Sequence, residues 1–289
     1  MITGLRRSSL YVPGDNAGMI RKSLAMPADV LVLNLEDGVA PSKKDEARAN
    51  IVEALRSLDF GNREVVVRVN SLASETGRRD LRAVIPCRPD GICLPKIEEA
   101  GEIRAADEAL ERLEAGNGIP EGSIKLHAMI ESAAGAMNAA AVARASRRMA
   151  SLMFGSADYA KDLRCQPGED RSELWFALQV IVTAARAGGI DALDAPCFAV
   201  YDADLLRREA AQARRFGYGG KSAIHPSQLE INNAIFDVTP DEIVWAENVL
   251  AELGEAENRG KALTTLEGRL IENPHRTAAE RILSRSRKQ

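Results

Sequence analysis

The sequence predicts an α/β fold, a (β/α)8 TIM barrel with a C-terminal helical extension or lid. Short runs rich in Val, Ile and Leu alternate along the chain with longer, charged, Ala-rich segments of helical spacing. This alternation is typical of parallel strands covered by helices. A barrel of eight such units takes about 250 residues, and the chain has 289. An open doubly wound sheet is the alternative, but its G-x-G-x-x-G turn does not follow the first strand.

Eight segments are candidate strands, and the seventh is the weakest of them. In chain order they are SSLYVPG, VLVLNLED, EVVVRVN, GICLPK, KLHAMIES, SLMFGSAD, APCFAVYD and KSAIHPS. The later segment TPDEIVWAENVLAEL is helical, with Thr239 as a plausible N-cap, Pro240 at the first position and Glu242 completing the cap. We therefore predict a catalytic barrel over residues 1–235 and a helical extension and lid over residues 236–289.

Composition excludes several classes of protein. The net charge of −4 and the pI of about 5.6 offer no broad basic surface for nucleic acid. No apolar run reaches the length of a membrane span, and the N-terminal residues lack the apolar segment of a secretory signal, so we expect a cytoplasmic protein with no membrane partner. The four cysteines have no C-x-x-C spacing, which argues against a zinc knuckle or a disulfide framework.

Ionisable residues lie at the ends of most candidate strands. They are Glu36 with Asp37, Arg68, Lys96, Glu131, Asp158, Asp202 and His225. In a barrel of this type the chemistry gathers at the C-terminal ends of the strands. Each residue alone is equally consistent with a strand that ends at the water boundary, but together they indicate a ring of polar groups around one mouth.

Two of these residues suit a divalent cation. Glu131 and Asp158 follow different strands, and carboxylates completed by water suit Mg²⁺ better than zinc. Arg68 could bind a substrate carboxylate through two hydrogen bonds. From spacing alone, each acid could instead cap a loop or form a salt bridge. Strand alternation places His127 on the face of Glu131, where we expect a hydrogen-bonded core residue rather than a ligand.

Seven blocks carry a resemblance over nearly the whole chain. They are RSSLYVPGDN, LNLEDGVAPSKKDEAR, VVVRVN, GICLPK, AMIES, FGSADYAKDL and GYGGKSAIHPSQ. The set closely resembles the citrate lyase β-subunit-like branch of the HpcH/HpaI aldolase family, which includes malyl-CoA and citramalyl-CoA lyases. The resemblance implies a Mg²⁺-dependent barrel enzyme that makes or breaks a carbon–carbon bond between an acyl-thioester and an α-keto acid.

The resemblance also implies roles for residues at the mouth. Glu131 and Asp158 would hold Mg²⁺, and Arg68 would stabilise the keto oxygen or its developing alkoxide. Asp37 and Glu36 would lie behind the metal's water shell or behind Arg68. Since neighbouring strand residues point to opposite faces, we expect only one of these acids, Asp37, to face the mouth. Alternatively, Glu36 caps a neighbouring loop and Asp37 pairs with Arg68.

Two further groups of contacts concern the substrate. Backbone N–H groups of the FGSAD turn, at Gly155, Ser156 and Ala157, could bind the carboxylate of the keto acid. The resemblance implies coenzyme A contacts at Tyr11, Pro13 and Lys22, which would flank the adenine and the phosphates.

The catalytic base is the point at which this chain departs from the resemblance. Related lyases take the base from an Asp in a G-R-M-I-D-x-P-like motif, on a lid that comes from the neighbouring subunit. This chain reads GRLIENP, so Glu272 occupies the position, one methylene longer. The longer side chain could still reach with a shifted lid, or it could misplace the base. An exposed residue at a helix start is the alternative. Exchanged lids imply a homo-oligomer, a trimer or a hexamer.

These residues indicate a Mg²⁺-dependent lyase that cleaves a β-hydroxyacyl-CoA of the malyl-CoA or citramalyl-CoA type to acetyl-CoA and a small α-keto acid. Three alternatives stay open. The protein could be a citrate lyase β subunit that acts on a carrier-bound citryl thioester, a β-hydroxyacyl-CoA thioesterase, or a non-catalytic acyl-CoA-binding homologue.

Overall fold

The computed structural model describes residues 5–287, which fall into two compact units. Residues 6–236 form the first unit, and residues 237–287 belong to the second. Within the described residues, no helix combines the length and the apolar character needed to span a bilayer.

The first unit is built on a closed barrel of eight parallel strands, each hydrogen-bonded to its sequence neighbours, with the eighth strand paired to the first. This confirms the predicted (β/α)8 TIM barrel. The strands are β1 (Ser8–Pro13), β2 (Val30–Asn34), β3 (Glu64–Arg68), β4 (Gly91–Leu94), β5 (Lys125–Ile130), β6 (Met149–Phe154), β7 (Asp191–Asp194) and β8 (Gly220–Ala223).

Helices cover the barrel, and several begin at the side-chain caps that their sequences provide. Asn16, Ser74, Ser132 and Asp202 each accept a hydrogen bond from a backbone N–H in the first turn of the helix that follows. The helices of this unit are α1 (Ala17–Ser23), α2 (Lys44–Ser57), α3 (Glu75–Val84), α4 (Ala100–Gly116), α5 (Ala133–Ala143), α6 (Ser156–Leu163), α7 (Trp175–Gly188), α8 (Ala203–Phe216) and α9 (Leu229–Phe236).

The seventh strand is not where the sequence pattern placed it. The predicted segment APCFAVYD, residues 195–202, is a loop, and the strand is the preceding DALD. Pro196 has no N–H to give a central strand, and Phe198 and Tyr201 of the apolar run are exposed. Asp202 therefore caps α8 rather than ending a strand.

The barrel interior has an apolar middle layer. It is filled by the inward-facing side chains of six strands and by the partly buried ring of Tyr11. These side chains are Val30, Val32, Val66, Cys93, Met129, Met153 and Leu193. A separate and much larger core lies between the outward faces of the strands and the helices.

Below this layer, at the N-terminal ends of the strands, the barrel is closed by a polar network that we call the floor. Arg6 donates two hydrogen bonds to Glu64, at 2.5 and 2.8 Å, and one to Asp191 at 2.7 Å. His127 is buried, with its Nε2 3.5 Å from Glu64 and its Nδ1 2.8 Å from the hydroxyl of Ser151. The interpretation of His127 as a hydrogen-bonded core residue is confirmed.

The second unit consists of two helices and a hairpin, α10 (Pro240–Asn258), β9 (Thr264–Leu266), β10 (Arg269–Ile271) and α11 (Asn273–Ser286). The predicted cap of α10 is present, because the hydroxyl of Thr239 accepts from the N–H of Glu242 and the Glu242 carboxylate accepts from the N–H of Thr239. The faces of the helices that meet share a small apolar core that includes Val249, Leu253 and Ala279.

Candidate active site

The candidate site lies at the C-terminal ends of β1 to β6, where charged side chains from consecutive strands converge above the apolar layer. Its first element is the turn after β2. Asn34, the last residue of that strand, donates from Nδ2 to the carbonyl of Asp37 and accepts at Oδ1 from the N–H of Glu36 at 3.0 Å. The Asn34 side chain thus takes the place of a further strand residue and folds the chain back, and Gly38 follows with a φ of +96°.

Both acids of this turn face the same cation. Lys96 Nζ lies 3.0 Å from Glu36 Oε1 and 2.9 Å from Asp37 Oδ2. The expectation that only one acid faces the mouth is wrong, because β2 ends at Asn34 and strand alternation no longer applies two residues later. Partial burial works against ionisation of Asp37, but the hydrogen bond from Lys96 holds the pKa of this carboxyl below its ordinary value.

Arg68, the last residue of β3, is held by contacts on several sides. Its Nε donates to Asn34 Oδ1 at 2.8 Å and its Nη2 to the carbonyl of Asp37 at 2.8 Å. Its Nη1 lies 3.3 Å from Glu36 Oε2. The guanidinium stacks over the ring of Tyr11, 4.9 Å from the centroid, which is a cation–π distance. The guanidinium is thereby fixed in plane and orientation.

Lys96 follows β4 with a left-handed backbone, at a φ of +53°. Such a conformation costs a residue with a side chain about 1–2 kcal/mol. It directs the Lys96 N–H to Glu131 Oε1, at 2.7 Å, while the side chain reaches the acids after β2. Hydrogen bonds to Asp37 and Glu36 raise the pKa of Lys96, so its ammonium is charged throughout the physiological range.

Glu131 follows β5 and is buried. Burial raises the pKa of this carboxyl to about 7, against the hydrogen bond from the Lys96 N–H and the charge of Arg68, while the charges of Glu36 and Asp158 add to the rise. A buried carboxylate close to other carboxylates binds a cation strongly, because the cation offsets both the burial and the repulsion.

The chain passes Glu131 closely after β6. A Cβ on Gly155 would lie 2.3 Å from Glu131 Oε2 and 2.5 Å from Glu131 Cβ, so only glycine fits there without a shift of Glu131. The first turn of α6 follows, and it places Asp158 near Glu131 with Ser156 and Ala157 at the helix N-terminus. Among residues 5–287, no hydrogen bond or ion pair holds the Asp158 carboxylate.

Glu131 and Asp158 fit a hard divalent cation. In the described part of the chain, no group of three or more His, Cys, Asp or Glu is arranged to hold a metal. The protein would therefore supply two carboxylates and leave the other positions to water and substrate oxygens, which is the usual way in which Mg²⁺ is bound.

The residues predicted to contact coenzyme A lie on β1 and α1. The ring of Tyr11 faces the barrel interior, because Tyr11 alternates along β1 with the outward-facing Leu10 and Val12. Its hydroxyl lies 3.8 Å from Met129 Sδ, and Arg68 stacks over its ring. The contact of Tyr11 with an adenine stays a prediction. Pro13 ends β1 half-buried, and Lys22 is exposed on α1.

Glu272 lies in the second unit, in extended conformation immediately before α11. Its side chain is exposed, and its backbone N–H donates to His275 Nδ1 at 3.2 Å. Its role as a base stays a prediction.

Sequence reasoning left two residues of the site without a role. Asn34 carried a signal, since it is the one amide in an otherwise apolar strand. Lys96 stood among the strand-end residues, but a left-handed lysine backbone has no sequence signature.

Two family models match, and together they span nearly the whole chain. The model of the HpcH/HpaI aldolase/citrate lyase family matches residues 7–226, and that of the C-C bond lyases of the TIM-barrel fold matches residues 177–288. Citrate lyase subunit beta of Leuconostoc mesenteroides subsp. cremoris is 35% identical over 279 residues, 96% of this chain and 92% of that protein. The (3S)-malyl-CoA thioesterase of Cereibacter sphaeroides is 36% identical over 280 residues, 97% of this chain and 94% of that protein.

A solved structure is similar over the full length. The protein CitE of Mycobacterium tuberculosis, in complex with magnesium, acetoacetate and coenzyme A, matches with a TM-score of 0.79 at 28% identity, covering 99% of both chains. The family model covers most of the barrel, and the curated relatives are more than 30% identical over nearly the whole chain. The chain belongs to the HpcH/HpaI aldolase/citrate lyase family, a family of aldolases and lyases.

Proposed function

We propose that this protein is a Mg²⁺-dependent carbon–carbon lyase that cleaves a β-hydroxyacyl-CoA of the malyl-CoA or citramalyl-CoA type to acetyl-CoA and a small α-keto acid. One observation carries the proposal: Glu131 is a buried carboxylate at the mouth of the barrel, and both the carboxylate of Asp158 and the guanidinium of Arg68 are near enough to act on its charge. The magnesium and coenzyme A bound in the solved complex of the CitE relative support it.

The reaction breaks the bond between the α and β carbons of the thioester. The β-hydroxyl loses its proton and becomes a carbonyl, the electron pair of the broken bond forms a thioester enolate, and the enolate carbon gains a proton. Negative charge moves from oxygen to enolate during these steps. A bound Mg²⁺ would supply Lewis acidity and a template for the substrate's carboxylate and hydroxyl oxygens.

The residues of this chain have separable roles in that reaction. Glu131 and Asp158 hold the cation. Arg68 donates to the oxygen that passes from hydroxyl to carbonyl, and its contacts with Asn34 and Tyr11 keep the guanidinium oriented in advance. Asp37, and with it Glu36, lies behind Arg68 and sets the charge around it.

The substrate carboxylate is the ligand proposed for the N-terminus of α6. The backbone N–H groups of Gly155, Ser156 and Ala157 begin this segment, and an anion is favoured at a helix N-terminus. The N–H of Gly155 already donates to the carbonyl of Ile130 at 3.0 Å, so the two N–H groups that follow it are the better candidates.

The coenzyme A and the base complete the proposal. Pro13 and the exposed Lys22 are proposed to flank the coenzyme, with the ammonium of Lys22 near a phosphate. Glu272 is proposed to give the proton to the departing enolate, and in the condensing direction to take it from the thioester methyl group. Because related lyases take this base from a neighbouring subunit, we propose a homotrimer or a hexamer, which light scattering of the purified protein would test.

The deciding experiment measures acetyl-CoA and keto acid released from racemic malyl-CoA and citramalyl-CoA, with Mg²⁺ and with EDTA. We expect metal-dependent release of glyoxylate or pyruvate, and its loss together with Mg²⁺ binding in Glu131→Ala. Glu111→Ala, on the exposed face of α4, is the matched control and should keep both. Full activity of Glu131→Ala would refute the metal site.

A second candidate function is thioester hydrolysis, favoured by the relative named (3S)-malyl-CoA thioesterase. The same cation site would then position water, and free CoA instead of acetyl-CoA would be the first product. The relative named citrate lyase subunit beta favours a related outcome, cleavage of a carrier-bound citryl thioester with no activity on CoA esters. Metal binding without turnover of any of these thioesters would indicate a non-catalytic homologue.

A further inference from the structure

Lys96 joins three carboxylates that belong to separate parts of the mouth. Its ammonium lies within 3.0 Å of both Glu36 and Asp37, and its backbone N–H donates to Glu131 at 2.7 Å. The side chain is about half exposed, at 48%, so this bridge stands at the open surface of the site.

The contact with Lys96 determines how strongly the carboxylates of Glu36 and Asp37 attract Arg68. Glu36 has one oxygen 3.0 Å from the Lys96 ammonium and the other 3.3 Å from Arg68 Nη1. Without the ammonium, Arg68 would be the nearest cation to Glu36 among the described side chains. The carboxylate of Glu36 would then attract Arg68 more strongly, because no second cation would offset its charge.

Arg68 has hydrogen-bonding capacity to lose. Of its five N–H groups, the described residues take two in short hydrogen bonds, to Asn34 and to the carbonyl of Asp37. Nη1 makes longer contacts with Met129 Sδ at 3.5 Å and with Glu36 Oε2 at 3.3 Å. A second N–H on Nη2 makes none of these contacts, and a stronger attraction of Nη1 to Glu36 would leave the guanidinium less able to meet a substrate oxygen.

We propose that Lys96 is a positioning residue, whose ammonium shares the negative charge of Glu36 and Asp37, so that Arg68 is not drawn fully into an ion pair with Glu36 and its guanidinium stays available to the α-keto acid. This inference rests on the proposed function, because it takes the keto acid as the ligand of Arg68. Lys96 acts through the acids and Arg68, and its backbone N–H independently fixes Glu131.

Three variants separate the ammonium from the backbone. Lys96→Gln removes the charge, and Lys96→Arg keeps a cation that can bridge two carboxylates. Lys96→Gly removes the side chain but keeps the N–H, and glycine adopts the left-handed conformation without strain. For each, calorimetry measures binding of Mg²⁺ alone and then of pyruvate at saturating Mg²⁺, and a thermal melt measures stability.

We expect opposite effects on the two ligands. Lys96→Gln and Lys96→Gly should weaken pyruvate binding at least tenfold, because Arg68 is drawn toward Glu36. They should leave Mg²⁺ binding as tight as in the wild type or a few-fold tighter, because removing a positive charge near carboxylates favours a cation. Lys96→Arg should restore most of the pyruvate affinity.

Other outcomes overturn the proposal. A parallel loss of Mg²⁺ and pyruvate binding with a lower melting temperature would show a purely structural role. Wild-type pyruvate affinity in Lys96→Gly would show that the ammonium is not needed. If the wild-type protein cleaves no thioester yet binds pyruvate with Mg²⁺, the proposed function fails while these variants still decide the role of Lys96. Absence of pyruvate binding in the wild type would overturn both.

Discussion

Replacing Gly155 with Ala tests whether the position of Glu131 governs the site. The added Cβ would lie 2.3 Å from Glu131 Oε2, whereas ordinary contact begins at 3.4 Å, so the carboxylate must retreat by about 1 Å. The backbone would not resist the change, because the φ of −106° at Gly155 suits alanine. The clash therefore acts on Glu131 and on the chain beside it.

The expected effect follows from that displacement. A misplacement of 1 Å at a catalytic centre costs roughly 100-fold in rate, and the crowding costs about 1–3 kcal/mol of stability. The assay is kcat/KM for the thioester that the wild type cleaves, together with calorimetric Mg²⁺ affinity and a urea melt. Gly116→Ala, where an added Cβ meets nothing within 4 Å, is the control and should keep the rate and the Mg²⁺ affinity without loss of stability. Wild-type Mg²⁺ affinity and rate in folded Gly155→Ala would refute the reasoning.

Three further predictions concern other parts of the molecule. Arg68→Lys keeps the charge but loses the planar guanidinium that binds Asn34 and the Asp37 carbonyl. The steady-state kcat should therefore fall about 100-fold or more, while the Mg²⁺ affinity measured by calorimetry stays within a few-fold of the wild type. An equal loss of rate and of Mg²⁺ affinity would contradict this prediction. Glu64→Gln should cost about 3–5 kcal/mol in urea unfolding at pH 7, because Arg6 loses its buried partner. Burial opposes ionisation of Glu64, but the hydrogen bonds from Arg6 and the nearby ring of His127 hold its folded pKa well below the unfolded value near 4.3. The wild-type advantage should therefore be full above about pH 5 and shrink as the pH falls through the folded pKa. A deficit independent of pH would exclude this origin. Glu272→Gln should lower kcat at least 100-fold with KM little changed, and Glu272→Asp should retain more activity than Gln; equal rates for both variants and the wild type would show that Glu272 is not the base.

The barrel could be predicted from the sequence because its strands and helices each show a recognisable pattern of apolar residues. Apolar runs separated by amphipathic segments predicted seven of the strands, and the side-chain cap at Thr239 predicted the start of α10. The seventh strand was misplaced because DALD has only two apolar residues, whereas the loop after it is apolar and partly exposed. Hydrophobicity therefore favoured the loop over the true strand, and Pro196 was the signal that should have excluded a central strand.

The sequence predicted which residues form the candidate site better than it predicted the contacts among them. Strand ends pointed to Arg68 and Glu131 because all C-terminal ends of a parallel barrel meet at one face. The shared contact of Glu36 and Asp37 with Lys96 depends on where β2 stops, and that is set by the Asn34 side chain rather than by hydrophobicity. Such contacts between side chains and backbone are local, and no periodicity records them.

The floor of the barrel has a consequence for how the chain can be divided. Arg6 contacts Glu64, in the first half of the barrel, and Asp191, in the second. A fragment that stops before β5 would keep Arg6 and Glu64 but lose Asp191 and His127, and the complementary fragment would hold Asp191 without the cation that it binds here. Separation of the halves would break the buried contacts that join Arg6 to Asp191 and Glu64 to His127, so the eight strands are suited to fold and unfold as one cooperative body rather than as two half-barrels.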